Sequence, residues 1–260
     1  MEPNVDIALI KGWALEAGEI ALSYFNRAEP SRKEDRTLVT RADQEIEILL
    51  TQRLRGTYPH HGIIGEEGTR EAGGQYLWAI DPIDGTRAFV SGLPVWGVSI
   101  GLLKGRRPCL GVFYMPLLRE CYHVDSSGEA FWNDRPIHCP AANRWDKDAF
   151  LCVPSNSHRR YTIDFPGITR ALGSTAAHMS YVARGKAVGA LLGHPSIWDI
   201  AAALAILERA GGTIRYLSGQ PVDLAELRGG RKAREPVVAA HPAAISPLLA
   251  AIRVKDQQHH

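Results

Sequence analysis

Residues 78–89, WAIDPIDGTRAF, end an apolar run in two aspartates, Asp81 and Asp84, separated by Pro82 and Ile83 and followed by Gly85 and Thr86. Pro82 fixes one backbone angle and cannot donate to a sheet, while Gly85 admits conformations that other residues avoid. Such a turn can aim both carboxylates at one point. Two close carboxylates repel and raise one another's pKa unless a cation lies between them. Acid oxygens and a backbone carbonyl, here that of Ile83, form a hard ligand set suited to magnesium or manganese rather than zinc or copper. Thr86 starts an expected helix, whose first N–H groups and positive dipole end favour a phosphate. Read alone, D-x-x-D-G-T is equally an Asx-type turn with a helix cap, so further acids must decide.

Three other segments bring such acids. GEEG supplies Glu66 and Glu67 at a strand-to-loop junction, with a pair of exposed loop acids as the alternative reading. SIWDIAAALAILERAGG supplies Asp199 where a long apolar helix begins, a place where aspartate also serves as an N-cap. LVTRADQEIEILLTQRLRG puts Asp43 near the first turn of a helix. If the fold gathers these segments, the cluster is too negative to hold a phosphate without several divalent ions.

Leu9, Ile10, Trp13, Ala17, Ile20, Ala21, Tyr24 and Phe25 recur at helical spacing and predict an amphipathic helix over 4–26. Ile46, Leu49, Leu50 and Leu54 predict a second helix ended by Gly56. GIIGEEG and YLWAI predict strands that deliver Glu66 and Asp81, and WGVSIGLL, CLGVFYMP and ECYHVD predict an antiparallel meander. Later come a strand in AFLCVPS, a helix near 158–171, a small-residue helix in STAAHMSYVARG, a strand in AVGALLG, and a helix in DIAAALAILERAGG closed by Gly211 and Gly212. No low-complexity linker parts the halves 1–142 and 143–260, so one catalytic unit, 1–260, is expected. GGRKARE, residues 229–235, reads as a solvated surface loop in preference to an anion-binding one. Arg159 and Arg160 fit a surface or a site role equally, and His60, His61, His158, His178 and His194 show no ligand spacing.

With 260 residues, 45% of them hydrophobic and 22% charged, the chain can bury a sizeable core. A net charge of +2, from 30 basic and 28 acidic residues, argues against nucleic acid or a membrane surface as the main partner. Cys109, Cys121, Cys139 and Cys152 lack metal-ligand or redox spacing, which suits reduced thiols. Glu2, Asp6, Lys11, Glu16 and Glu19 interrupt the N-terminal apolar positions, unlike a signal peptide, and no apolar run spans a bilayer. A cytoplasmic protein is the expectation, with no role given to His259 and His260.

WAIDPIDGTRAF and WDIAAALAILERAGG, with LVTRAD, GEEG and GSTAAHMSYVARG in the right order and separation, resemble the inositol monophosphatase family of magnesium-dependent, lithium-sensitive phosphatases. The resemblance covers nearly the whole chain. It implies an α/β fold, a layered α/β/α/β/α sandwich of the inositol monophosphatase and fructose-1,6-bisphosphatase type, with a large antiparallel sheet, a second mixed sheet, and a homodimeric assembly. It implies two or three Mg2+ ions, with Mn2+ as a substitute. Glu66, Asp81 and the Ile83 carbonyl look like ligands of one ion, and Asp81, Asp84 and Asp199 look like ligands of a second. Thr86, paired with Asp43, looks like the group that orients and helps deprotonate water, with Glu66 available through a third ion. The Gly85 and Thr86 N–H groups look like phosphate ligands, with Asp84 and Asp199 on the substrate side.

In inositol-specific members an acidic residue shortly before the second signature contacts ring hydroxyls, whereas GALLGHPSIWD has Leu191, Leu192 and His194 and no acid before Asp199. RAFVSGLPVWG is similar to the corresponding stretch of histidinol-phosphate phosphatases. The expected substrate is a small phosphate monoester of the inositol or histidinol type, ranked above 3'-phosphoadenosine 5'-phosphate and fructose 1,6-bisphosphate. A binding or regulatory protein on this fold is the alternative of another class; the intact Glu66, Asp81, Asp84, Thr86 and Asp199 weigh against it.

Overall fold

The computed structural model describes residues 5–27, 29–32, 38–141 and 145–255. The first position of the helix expected from residue 4, and His259 and His260, lie outside them. Helix α1 (Ile7–Tyr24) is followed by a ribbon of β1 (Ser31–Arg32) and β2 (Leu38–Val39) and by α2 (Arg41–Thr57). Next come β3 (Gly62–Gly65), β4 (Arg70–Glu71), β5 (Tyr76–Asp84), the five-residue α3 (Thr86–Val90), β6 (Gly97–Lys104), β7 (Arg107–Met115), β8 (Glu120–Val124), β9 (Ala130–Trp132) and β10 (Arg135–Pro136). The C-terminal part runs β11 (Phe150–Cys152), α4 (Ser157–Arg160), β12 (Tyr161–Ile163), β13 (Ile168–Arg170), α5 (Thr175–Ala183), β14 (Gly189–Leu192) and α6 (Ile197–Arg209). It ends with β15 (Thr213–Tyr216), β16 (Val237–Ala240), α7 (Pro242–Ala251) and β17 (Ile252–Val254).

Eight strands form the first sheet in the order β10-β9-β8-β7-β6-β5-β3-β4, antiparallel except where β3 and β5 run side by side in parallel. The second sheet, β13-β11-β14-β16-β15, is mixed. Side-chain alternation along the central strands assigns the layers. Trp78, Ile80, Val98, Ile100 and Val112 point to one face and join Ile10, Trp13, Ile46 and Leu50 of α1 and α2 in one core. Leu77, Ala79, Leu103, Phe113 and Met115 point to the other, where α5 and α6 fill the space up to the second sheet. Leu151, Leu191, Val238 and Ala240 turn the opposite way and pack on Ile245 and Leu248 of α7. The outcome is the expected α/β/α/β/α sandwich. No helix among the described residues is long and apolar enough to cross a membrane.

The helix expected near 158–171 is not formed. Only α4 is helical there, and Tyr161–Ile163 pairs instead with Ile252–Val254 of the chain's last strand. The cause lies in Thr162 and Ile163, whose branched side chains suit a strand, and in Pro166 and Gly167, which stop a helix. The four cysteines form no disulfide; burial pushes the thiols of Cys121 and Cys139 up to about 11 and that of Cys152 up to about 12, which suits these three to packing rather than reaction.

Helix α6 rests unusually close to the first sheet because two glycines leave room for its backbone. A Cβ on Gly101 would lie 2.5 Å from the Ala202 nitrogen, and one on Gly111 would lie 2.2 Å from the Ala202 carbonyl oxygen. Ala201, Ala202, Ala203 and Ala205 keep the helix side of the contact equally slim. Gly111→Ala is therefore expected to lower stability by about 3 kcal/mol through overpacking against rigid backbone. Gly12→Ala, at an α1 position with nothing within 4 Å of the added carbon, should raise it by about 0.5–1 kcal/mol. Urea denaturation midpoints check both.

Candidate active site

In a regular strand, residues three apart face opposite sides of the sheet, so Asp81 and Asp84 should diverge. A bulge prevents this. Asp81 stands opposite Ser99 and Asp84 opposite Gly97, so β5 carries one residue more than β6 between the two pairings. Both aspartates thus turn to the α5 and α6 side, while Ile83 points back into the core under α1 and α2. Pro82, with no N–H for the ladder, sits within the bulge. The Ile83 N–H donates to Asp81 Oδ1 at 3.1 Å, which fixes that carboxylate against its own turn.

The other acids arrive at element ends. Glu66 follows β3, its N–H donating to the Ile80 carbonyl at 3.2 Å in continuation of the parallel pairing. Asp199 is not the N-cap of α6: Ser196 is, and Asp199 at the third helical position accepts from the Ser196 N–H at 2.6 Å in a capping box. Asp43 has the matching place in α2, accepting from the Thr40 N–H at 2.7 Å and the Thr40 hydroxyl at 2.6 Å. Asp84 reaches across to α5, where its carboxylate accepts from the Ser174 hydroxyl, from the Ala176 N–H at 2.8 Å and from the Thr175 N–H at 3.1 Å.

Glu66, Asp81 and Asp199 each offer an oxygen within 4.8 Å of the others. Asp81 is 1% exposed and Asp84 5%, so this negative charge is shielded from water. Burial, then the charges of Glu66, Asp84, Asp199 and Asp43, hold the Asp81 carboxyl well above the usual carboxylate range. Burial also pushes Asp84 up to about 6, against the hydrogen bonds from Ser174, Ala176 and Thr175. Asp199 is likewise raised by burial and by Glu66, while the Ser196 N–H and Lys232 pull it down. An all-oxygen, half-enclosed cluster whose members repel is the donor set of a hard divalent cation, and the group can hold a metal ion.

Thr86 Oγ1 donates to the Ile83 carbonyl at 3.1 Å, while Asp43 is engaged with Thr40, so the two sequence-matched partners each hold a local turn among the described residues. Gly85 has φ +95°, and a Cβ there would come within 3.1 Å of the Gly173 carbonyl oxygen, so glycine is needed for both conformation and space. With five residues, α3 has little macrodipole, so the backbone N–H groups of its first turn are what it could offer an anion.

Several positioning groups escaped sequence reasoning. Buried Glu47 of α2 accepts from the Glu67 N–H at 2.6 Å and the Thr69 N–H at 2.8 Å, and its carboxylate fills the space beside Gly65 that a Cβ would need. Its signal was an acid among the inward positions Ile46 and Leu50. The Leu172 N–H donates to His178 Nε2 at 3.0 Å, and burial pushes that imidazole down to about 4, so a neutral ring fixes the approach to Ser174. Loop 229–235 is solvated as expected at Gly229, Arg231, Lys232 and Arg234, but it is pinned beside the site by two residues: the buried Ala233 N–H donates to the Pro195 carbonyl at 2.8 Å, and Gly230 abuts Trp198. Glu67 contributes only its backbone N–H, which ties the 66–69 turn to Glu47.

The model of the inositol monophosphatase family matches residues 4–255. A histidinol-phosphatase of Chlorobaculum parvum is 36% identical over 223 residues, covering 82% of this chain and 85% of that protein. A fructose-1,6-bisphosphatase/inositol-1-monophosphatase of Aquifex aeolicus is 30% identical over 235 residues, covering 85% and 88%. Among solved structures, an IMPase of Thermotoga maritima superposes with a TM-score of 0.82 at 25% identity, over 94% of this chain and 95% of that one. The chain belongs to the inositol monophosphatase family and is a phosphoric monoester hydrolase.

Proposed function

We propose that the chain hydrolyses a small phosphate monoester with Mg2+, and that histidinol phosphate is the first substrate to try, ahead of inositol phosphate. The observation that carries the metal reading is the convergence of Glu66, Asp81 and Asp199 within 4.8 Å in a half-buried cluster. The substrate ranking rests on the 36% identical histidinol-phosphatase and on β14, whose Leu191 and Leu192 are buried in two cores and leave no acid there for ring hydroxyls.

Glu66, Asp81, the Ile83 carbonyl, Asp84 and Asp199 would hold the ions, as many as two or three. Bound Mg2+ supplies charge neutralisation for the phosphate oxygens and activation of water. Thr86 Oγ1, which donates to the Ile83 carbonyl until its hydroxyl turns, presents lone pairs that can accept from the attacking water and aim it. Asp43, anchored at the start of α2, serves as the second acceptor once the Thr86 hydroxyl turns toward it. The Gly85 and Thr86 N–H groups donate to the phosphate and hold it in line. Uncatalysed monoester hydrolysis is slow enough to require up to ~10²¹-fold acceleration, which positioning and charge compensation must supply together.

Phosphate release from histidinol phosphate, inositol 1-phosphate, fructose 1,6-bisphosphate and 3'-phosphoadenosine 5'-phosphate, with Mg2+, with Mn2+ and with chelator, should show metal-dependent turnover greatest on histidinol phosphate. No release from any ester at any metal concentration would refute the proposal. Asp81→Asn keeps an oxygen for the Ile83 N–H while removing one charge, whereas changing Asp84 would also uncap α5. It should cut activity on the order of 10²–10³-fold and make the metal-free protein more stable in urea, because it relieves repulsion at a buried site. An active or a destabilised Asp81→Asn protein would contradict the assignment. The raised pKa values also set a pH dependence. The metal-free chain retains protons where ordinary aspartates have lost them, and a cation must expel these to bind. Apparent Mg2+ affinity, read by calorimetry, should therefore rise with pH through about 6, the value to which Asp84 is pushed, and keep rising above it while the more strongly raised Asp81 and Asp199 lose their protons.

A further inference from the structure

One side chain joins the two segments that carry Glu66 and Asp199, and the proposed chemistry does not use it. Arg70, at the start of β4, sends Nη1 back across the 66–69 turn to the Gly65 carbonyl and, at 2.7 Å, to the Thr69 carbonyl. The same guanidinium lies over the Trp198 ring, with Cζ 4.9 Å from the centroid. Gly65 immediately precedes Glu66, and Trp198 immediately precedes Asp199. Gly230 closes a third side: its φ is +77°, and a Cβ there would lie 2.9 Å from Arg70 Nη2 and 3.2 Å from the Trp198 ring. The loop carrying Gly230 is itself pinned, by the Ala233 N–H on the Pro195 carbonyl and by the His194 ring on the Ala233 carbonyl, each at 2.8 Å.

We propose that Arg70, braced between Trp198 and Gly230, is a positioning residue that sets the spacing of Glu66 and Asp199 and thereby the affinity of the site for divalent cations. The inference rests on the reading of those two acids as cation ligands. Its physical basis is the repulsion of two carboxylates whose oxygens lie within 4.8 Å of one another on separate elements, which would relax apart unless something spans them. A cation meeting a relaxed site must first reassemble it, and that work is subtracted from its affinity. Arg70 prevents the relaxation through shape. Its planar head contacts carbonyl oxygens with its edge and an indole with its face at once, which a lysine ammonium cannot reproduce even though it carries the same charge.

Equilibrium dialysis of Mn2+ against the metal-stripped full chain tests this for the unaltered protein, Arg70→Ala, Arg70→Lys, Gly230→Ala and Asp199→Asn. Arg70→Ala and Arg70→Lys should both weaken Mn2+ binding by about tenfold, the scale for groups that orient metal ligands. Gly230→Ala, which presses on the brace without touching an acid, should weaken it in the same direction and carries the test should Arg70→Ala not fold. The kcat at saturating Mn2+ should change less than the affinity does. Unaltered affinity in Arg70→Lys and Gly230→Ala overturns the brace, and so does full recovery of affinity in Arg70→Lys beside a weakened Arg70→Ala, which would make charge alone the cause. If Asp199→Asn binds Mn2+ as the unaltered protein does, the ligand reading falls and the brace with it; if Asp199→Asn loses Mn2+ while the Arg70 variants do not, the brace alone falls.

Discussion

Everything at this site depends on holding together carboxylates that repel. Asp81 and Asp84 are buried and Glu66 and Asp199 half-buried beside them, and burial with mutual charge raises Asp81 and Asp199 well above the carboxylate range. The chain restrains them by giving each aspartate a structural task. Asp84 accepts three donors at the start of α5, Asp199 closes the capping box of α6, Asp43 that of α2, and Asp81 accepts from its own turn. Three helix N-termini therefore meet the acids with backbone N–H groups. These bonds favour the charged forms and offset part of the repulsion before any cation binds.

Such restraint requires close backbone approach, and the glycines show where. Gly101 and Gly111 let α6 settle on the first sheet, which brings its first turn and Asp199 down to the bulge of β5. Gly65 makes room for Glu47, and Gly85 lets the turn after Asp84 pass beneath Gly173. Each is a place where one methyl group would push an acid-bearing segment aside. Packing and chemistry are therefore coupled in this fold: the layer of α5 and α6 that fills the core between the sheets also carries Asp199 and the donors that orient Asp84.

Much of this was legible in the sequence because short-range patterns encode it. The period of Ile10, Trp13 and Ala17 gives α1, the meander follows from apolar runs and their turns, and the acids stand in motifs whose order is distinctive. What was not legible depends on pairing between distant strands. The three-residue spacing of Asp81 and Asp84 would send them to opposite faces, and only the register against Ser99 and Gly97 shows the bulge that unites them. Asp199 reads as an N-cap until Ser196 is seen in that place. Residues 161–163 turn from expected helix to strand because their partner lies at 252–254, some ninety residues on. The basic residues of loop 229–235 face solvent as expected, and only the contacts of Ala233 with Pro195 and of Gly230 with Trp198 were hidden.

The central claim is that this repulsion is balanced by divalent cations at one site. Thermal unfolding of the chelator-treated chain, with increasing Mg2+ set against NaCl of equal ionic strength, tests it most directly. The account predicts that Mg2+ raises Tm with a logarithmic dependence on concentration, as for a ligand that binds only the folded state, and that NaCl does not reproduce the rise. Equal effects of the two salts, or no effect of Mg2+, would contradict it.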